Sequence, residues 1–261
     1  MIRIFKEILQ YRDLLGMLTL RDIRIRYKQA SMGFLWAIFM PIVAVCAGIL
    51  IKKAMVTVAQ QPFEGKSIFS ISVKVLPWTF FISSIRFAVQ SLVGNSALIT
   101  KIYFPRAILV MSSILACLFD LAIAIVVLTV LLLFFQIGIS VHILWLPLYI
   151  VLLVLFTVGL GLILSAANLF FRDVKYVVEI ILMFGIFFTP VFYDSSAFGR
   201  LEPLMLLNPL GSMLDQINKV VILQTAPDML WTAYAALASI ATFVLGTVIF
   251  HKMEPTFAEN I

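Results

Sequence analysis

The side chains able to do covalent or metal chemistry are few in this sequence and badly spaced for it. Cys46 and Cys117 sit in separate apolar runs and His142 and His251 lie far apart, so neither a disulfide framework nor a metal cluster is expected. The tripeptide Gly65-Lys66-Ser67 ends like a phosphate-binding loop, but that pattern needs a glycine at position 60, where the chain has Gln60. Acidic residues that could serve as general acids or bases are scattered, with no paired-carboxylate motif. What remains is charge itself. Arg21, Arg24 and Lys28 fall at i, i+3 and i+7 and would form one basic stripe on a helix, suited to phosphates or anionic lipid headgroups. Arg86 and Asp120 are single charges inside long apolar runs.

The elements that must position these groups are dictated by composition. Hydrophobic residues make up 63% of the 261, charged residues 12%, and the mean hydropathy is +1.12. A soluble domain carries about 25% charged residues. Such a chain belongs in a bilayer, where helices of about 20 apolar residues satisfy their own backbone hydrogen bonds. The alternation that a barrel strand needs is not visible. Six spans are expected: Gly33 to Ile51, Val75 to Asn95, Ala107 to Gln136, Ile143 to Phe170, Val174 to Tyr193 and Met229 to Phe250. The expected fold is therefore all-α and polytopic, with an amphipathic N-terminal segment over 1–32, a six-helix membrane domain over 33–250 and a tail over 251–261. The first apolar run is too long and too far in for a cleaved leader, so it is expected to insert as a signal anchor.

With both termini in the cytoplasm, twelve Lys and Arg lie inside: Arg3, Lys6, Arg12, Arg21, Arg24, Arg26, Lys28, Lys101, Arg106, Arg172, Lys175 and Lys252. Six lie outside: Lys52, Lys53, Lys66, Lys74, Arg200 and Lys219. Insertion machinery favours that asymmetry. The collar before the first span thus has two readings, a topology signal and a basic edge that captures phosphate. Upstream, Ile4, Ile8, Tyr11, Leu15 and Leu18 oppose Arg3, Lys6, Glu7, Gln10 and Asp13, the pattern of a helix lying on membrane lipids.

An ionisable group at membrane depth is costly unless it is paired or faces water. At about 1.5 Å per residue, Arg86 lies roughly 14 Å and Asp120 roughly 20 Å from the cytoplasmic ends of their spans, close enough for an ion pair between spans two and three. The alternative places Arg86 in a channel. Phe34, Trp36 and Phe39 in the first span, with Phe184, Phe187, Phe188, Phe192 and Tyr193 in the fifth, could line a path on which sugar rings stack, or could equally face lipid and neighbouring helices. Thr157, Gly161 and Ser165 repeat at four-residue spacing, which reads as close helix packing. Between spans five and six, Leu210, Met213, Leu214, Ile217 and Val221 make an apolar stripe broken upstream by Asn208-Pro209, consistent with two short helices re-entering the outer leaflet.

Four segments carry a family resemblance: "RDIRIRYKQASMGFLWAIFMPI", "NSALITKIYFPRAIL", "NLFFRDVKY" and the closing "HKMEPTFAENI". In this order and with this span layout, the chain resembles permease subunits of ATP-binding-cassette exporters of bacterial polysaccharides, the group that includes O-antigen, capsule and teichoic-acid exporters. The resemblance implies a homodimer with two copies of a nucleotide-binding ATPase subunit, exporting a lipid-linked glycan across the bacterial inner membrane. ATP and Mg would be bound by that partner, with no cofactor or metal on this chain and no nucleic acid as partner. It also implies that Ile99 to Arg106 is a coupling helix, with Lys101, Tyr103, Phe104 and Arg106 meeting the ATPase and Arg172 and Asp173 as a second contact. By their residue types alone, these segments could instead be ordinary interface loops, with Asp173 capping a helix. Rival functions are a membrane enzyme acting on isoprenoid-linked sugars, which should show catalytic acids, and a secondary transporter, which should show repeated halves.

Overall fold

In lipid the chain has no water to bond, so its long apolar runs close their backbone hydrogen bonds internally as helices. The computed structural model describes residues 10–28, 32–59, 69–102, 104–138 and 140–259. Among them no strand occurs. The helices are α1 (Arg12–Lys28), α2 (Leu35–Ala59), α3 (Phe69–Gly94), α4 (Ser96–Lys101), α5 (Ala107–Phe134), α6 (Leu146–Phe170), α7 (Val174–Gly185), α8 (Glu202–Leu206), α9 (Pro209–Asn218) and α10 (Met229–Met253). Short 3-10 turns at Val141–Trp145, Ser195–Leu201 and Glu254–Glu259 and a π turn at Lys219–Leu223 complete the order.

Five described helices are long and apolar enough to cross a membrane: Leu35–Val58, Phe69–Gly94, Ala107–Phe134, Val141–Phe170 and Met229–Phe257. These match expected spans one to four and six. The fifth differs. Only Val174–Gly185 is helical, 12 residues and so about 18 Å, and the chain then passes through turns to Asp194. Gly185 and Pro190 explain the break, since glycine weakens a helix and proline cannot donate to one. Thr189 instead donates from its hydroxyl to the Gly185 carbonyl. The two short helices expected before the last span are α8 and α9, and Asn208 caps α9 by accepting from the Leu210 amide at 3.1 Å.

The buried axis is α3, which packs on α2, α5, α6 and α9. The Thr157, Gly161 and Ser165 stripe faces inward as expected, with Gly161 set against Ala88 and Ile114. A closer crossing lies on the other side of α6. A Cβ built on Gly246 of α10 would fall 2.2 Å from the Gly159 carbonyl oxygen, so the two backbones touch where both side chains are missing. Helix α1 does not lie free. Leu18 is buried, Tyr11, Leu14 and Leu15 pack beside it, and the helix runs along α5. Ile4 and Ile8, with Arg3, Lys6 and Glu7, lie outside the described residues.

Candidate functional site

At the end of the bundle that holds α1 and the closing segment, α4 makes a single short turn between α3 and α5. Thr100, Lys101 and Ile102 are exposed there and Ile99 is buried. Phe104 is not the exposed anchor the sequence suggests. It is 7% exposed and belongs to the core, because burying a phenyl ring stabilises the corner by roughly 1.5–3 kcal/mol over leaving it in solvent. Tyr103 lies outside the described residues. Arg106 opens α5, and its amide donates to Glu254 Oε1 at 2.9 Å while its guanidinium bonds the Glu254 carbonyl oxygen and stands 5.9 Å from the Phe257 ring centre. Phe257 is wholly buried, 5.1 Å from Phe250 and 6.0 Å from Phe170 at the end of α6. Directly after Phe170 come exposed Phe171, Arg172 and Asp173. Asp173 sits at the N-cap of α7 without a capping side-chain bond; Asn168 Oδ1 accepts from the Lys175 amide there. The structure thus brings Lys101, Arg106, Arg172 and Asp173 to one end, where the closing segment meets Arg106 and Phe170.

The basic stripe is divided. Arg21 bonds Asp22 at 2.9 Å and Asn95 at 3.0 Å, whereas Arg24 and Lys28 are exposed. Asp22 also accepts from Ser112 at 3.4 Å. Arg26, between them in sequence, does the deeper work: it meets Asp120 Oδ2 at 2.7 Å and Cys117 Sγ at 3.3 Å, and lies 4.0 Å over the Phe87 ring. Tyr27 donates to Asp120 Oδ1 at 2.6 Å. Burial pushes the Tyr27 phenol up, and the Asp120 carboxylate beside it pushes the same way.

The expected pair of Arg86 with Asp120 is therefore corrected. Adjacent residues on a helix point about 100° apart, so with Phe87 turned to Arg26, Arg86 looks toward α7. There it stands 3.6 Å from Glu179, both half exposed. Depth along the spans does not fix this partner, because α1 packs along α5 and brings Arg26 to Asp120.

A third cluster, unforeseen in the sequence, closes the far end. Lys74 of α3 is 1% exposed, yet its ammonium finds Asp194 Oδ1 at 3.0 Å and the Tyr193 carbonyl at 2.6 Å. Lys52 takes Asp194 Oδ2 at 2.6 Å, and Ser70 donates to Oδ1 at 2.9 Å. Burial alone would raise the Asp194 pKa; Lys74 and Lys52 outweigh it and hold the carboxyl well below the usual range. Ser195 continues the chain of contacts to Asp215 at 2.7 Å, which pairs with Lys219 at 3.1 Å. The only hint in the sequence was a lysine, Lys74, at the edge of an apolar run.

The aromatics expected along a path split between packing and exposure. Phe34 contacts Tyr27 and Phe119, Trp36 contacts Phe39, and Tyr193 contacts Phe198 while bonding the Phe187 carbonyl. Phe184, Phe187 and Phe188 stay exposed on the α7 side, and Phe192 is half-buried.

A family model described as ABC-2 type transporter matches residues 13–222. The chain belongs to the ABC-2 type transporter family. This ABC-2 chain is 28% identical over 264 residues to the O-antigen export system permease protein RfbA of Myxococcus xanthus, covering 100% of both chains. Two Klebsiella pneumoniae proteins of the same name are 29% and 30% identical, each covering 95% of this chain and 94% of the relative. The family match runs from α1 to the π turn, so it includes Arg26 with Asp120 and Lys74 with Asp194 and ends before Glu254 and Phe257.

For the ABC-2 chain the contacts rank its two inner arginines. Asp120→Asn removes the counter-ion of Arg26 and should destabilise the protein by roughly 1.5–3 kcal/mol, the range for hydrogen bonds to charged groups. Arg26→Met with Asp120→Leu should regain most of it. Arg86→Met should cost less than Asp120→Asn, about 1 kcal/mol or below, since its pair with Glu179 is longer and half exposed. Thermal melts of the purified protein in detergent decide this; a larger loss at Arg86 than at Asp120 would reverse the assignment.

Proposed function

We propose that the chain is the membrane-spanning permease subunit of an ATP-driven exporter that moves a lipid-linked polysaccharide of the O-antigen type out of the cytoplasm. The carrying observation is likeness over essentially the whole chain to proteins named O-antigen export permeases. The permease has no ATP chemistry of its own and works as a homodimer with two copies of a nucleotide-binding subunit, which holds ATP and Mg. Both termini face the cytoplasm of an inner membrane, with α8 and α9 re-entering the outer leaflet and the bundle filling residues 33–250. The exposed Lys101 and Arg172, at the end where Phe257 meets Arg106 and Phe170, support docking of the ATPase there. The exposed apolar faces of α2, of α7 and of the turn after it, including Phe39, Phe184, Phe187 and Phe188, support a second copy facing them across a path for the glycan. Arg24 and Lys28 supply a positive edge where an anionic headgroup would arrive.

Co-purification from membranes tests the partner directly. A tagged permease should retain an ATPase subunit, and only the complex should hydrolyse ATP. Lys101→Glu combined with Arg172→Glu should weaken assembly or separate hydrolysis from export, because both charges of the contact are reversed. ATP turnover by the chain alone, or no retained ATPase, would remove this reading in favour of an enzyme or a secondary transporter.

A further inference from the structure

The closing segment is one of the four that carry the family resemblance. Its contacts are specific. Both carboxylate oxygens of Glu254 are engaged, Oε1 by the Arg106 amide at 2.9 Å and Oε2 by His251 Nδ1 at 3.1 Å. The first amides of a helix need acceptors from outside it. A neighbouring residue could cap α5, yet the acceptor comes from 148 positions away. A local cap would stabilise α5 equally well; a distant one also ties the α4–α5 corner to α10. Phe257 does the same for the other corner, since its buried ring lies against Phe170, next to Arg172, and beneath Arg106.

We propose that residues 254–259 fasten the two ATPase-facing corners into one rigid platform, with Glu254 and Phe257 as positioning residues for coupling. The proposal rests on the reading of those corners as the ATPase contact. A push on α4 is then delivered to α6 and α10 together, whereas without the fastening the six-residue turn absorbs it.

The test uses the full complex of permease and ATPase in reconstituted membranes, with ATP hydrolysis and glycan export measured on the same preparation. Glu254→Ala should assemble and hydrolyse ATP, but export per ATP should fall about fivefold, the shift expected from losing one cap. Glu254→Gln keeps an oxygen for the Arg106 amide and should restore most of the ratio. An unchanged ratio in Glu254→Ala, or an equal loss in Glu254→Gln, overturns the proposal. Should Glu254→Ala fail to insert, Phe257→Leu carries the test: the same drop supports the platform and an unchanged ratio refutes it. Lys101→Glu with Arg172→Glu runs in parallel. No effect there sinks the contact reading, while an effect there with a normal ratio in Glu254→Ala sinks only the platform.

Discussion

Asp194→Asn is expected to be the most damaging single replacement of a charge in this protein. Asp194 is the shared counter-ion of Lys52 and of Lys74, and Lys74 is 1% exposed. Removing one partner of a buried ion pair leaves the other charge unsolvated, at a cost of about 3–5 kcal/mol. Thermal melting in detergent should show a loss of that size, whereas Lys52→Met, which keeps the Lys74 pair, should lose less, roughly 1.5–3 kcal/mol. Equal melts for Asp194→Asn and the unaltered protein would falsify the buried pairing. The pH dependence follows from the sign. The carboxyl is held below its ordinary value in the fold, so its contribution is complete above the unfolded value of about 3.9 and is lost only as pH falls below it. From about pH 5 upward this group therefore adds no slope to stability.

Gly246→Ala should be nearly as severe although it adds one methyl group. In a helix interior, replacing glycine by alanine normally gains about 0.8–1 kcal/mol. At this crossing the new Cβ would stand 2.2 Å from the Gly159 carbonyl oxygen, and no side-chain rotamer can relieve a clash with backbone. Separation of α6 and α10 is the only response, so the loss should exceed the roughly 1–3 kcal/mol of ordinary overpacking. Gly16→Ala is the control, because nothing lies within 4 Å of its added Cβ, and it should be neutral or mildly stabilising. Monodisperse yield on size exclusion separates the two; normal yield for Gly246→Ala would mean the helices sit farther apart.

Hydropathy located five crossing helices because a bilayer demands long apolar runs, and a sum over a window detects them without knowing any partner. It could not detect that Val174 to Tyr193 is only partly helical, since Gly185 and Pro190 interrupt geometry without interrupting hydrophobicity. Charge pairs were less legible. Spacing brought Arg86 and Asp120 to similar depth, but pairing depends on which way each side chain turns, and that is fixed by tertiary packing of α1 on α5. Phe104 illustrates the same limit, for an aromatic residue at a membrane edge can anchor a partner or fill its own core. The Thr157, Gly161 and Ser165 stripe was readable because its period lies within one helix. Gly159 and Gly246 meet only across two helices, so neither carries a local signal.

The long reach of the buried charges orders the protein's synthesis. Arg26 waits 94 residues for Asp120, and Lys74 waits 120 residues for Asp194. At about 5–20 residues per second, the Lys74 ammonium goes without its carboxylate for roughly 6–24 s after it leaves the ribosome. During that interval water at the membrane edge or the insertion machinery hosts the lysine, which lies near the end of its span. The arrival of Asp194 ends this, so the chain acquires its final packing only after the segment beyond α7 has emerged. A nascent chain halted before that point displays an unmatched positive charge in its second span, a mark by which an incomplete copy differs chemically from a finished one.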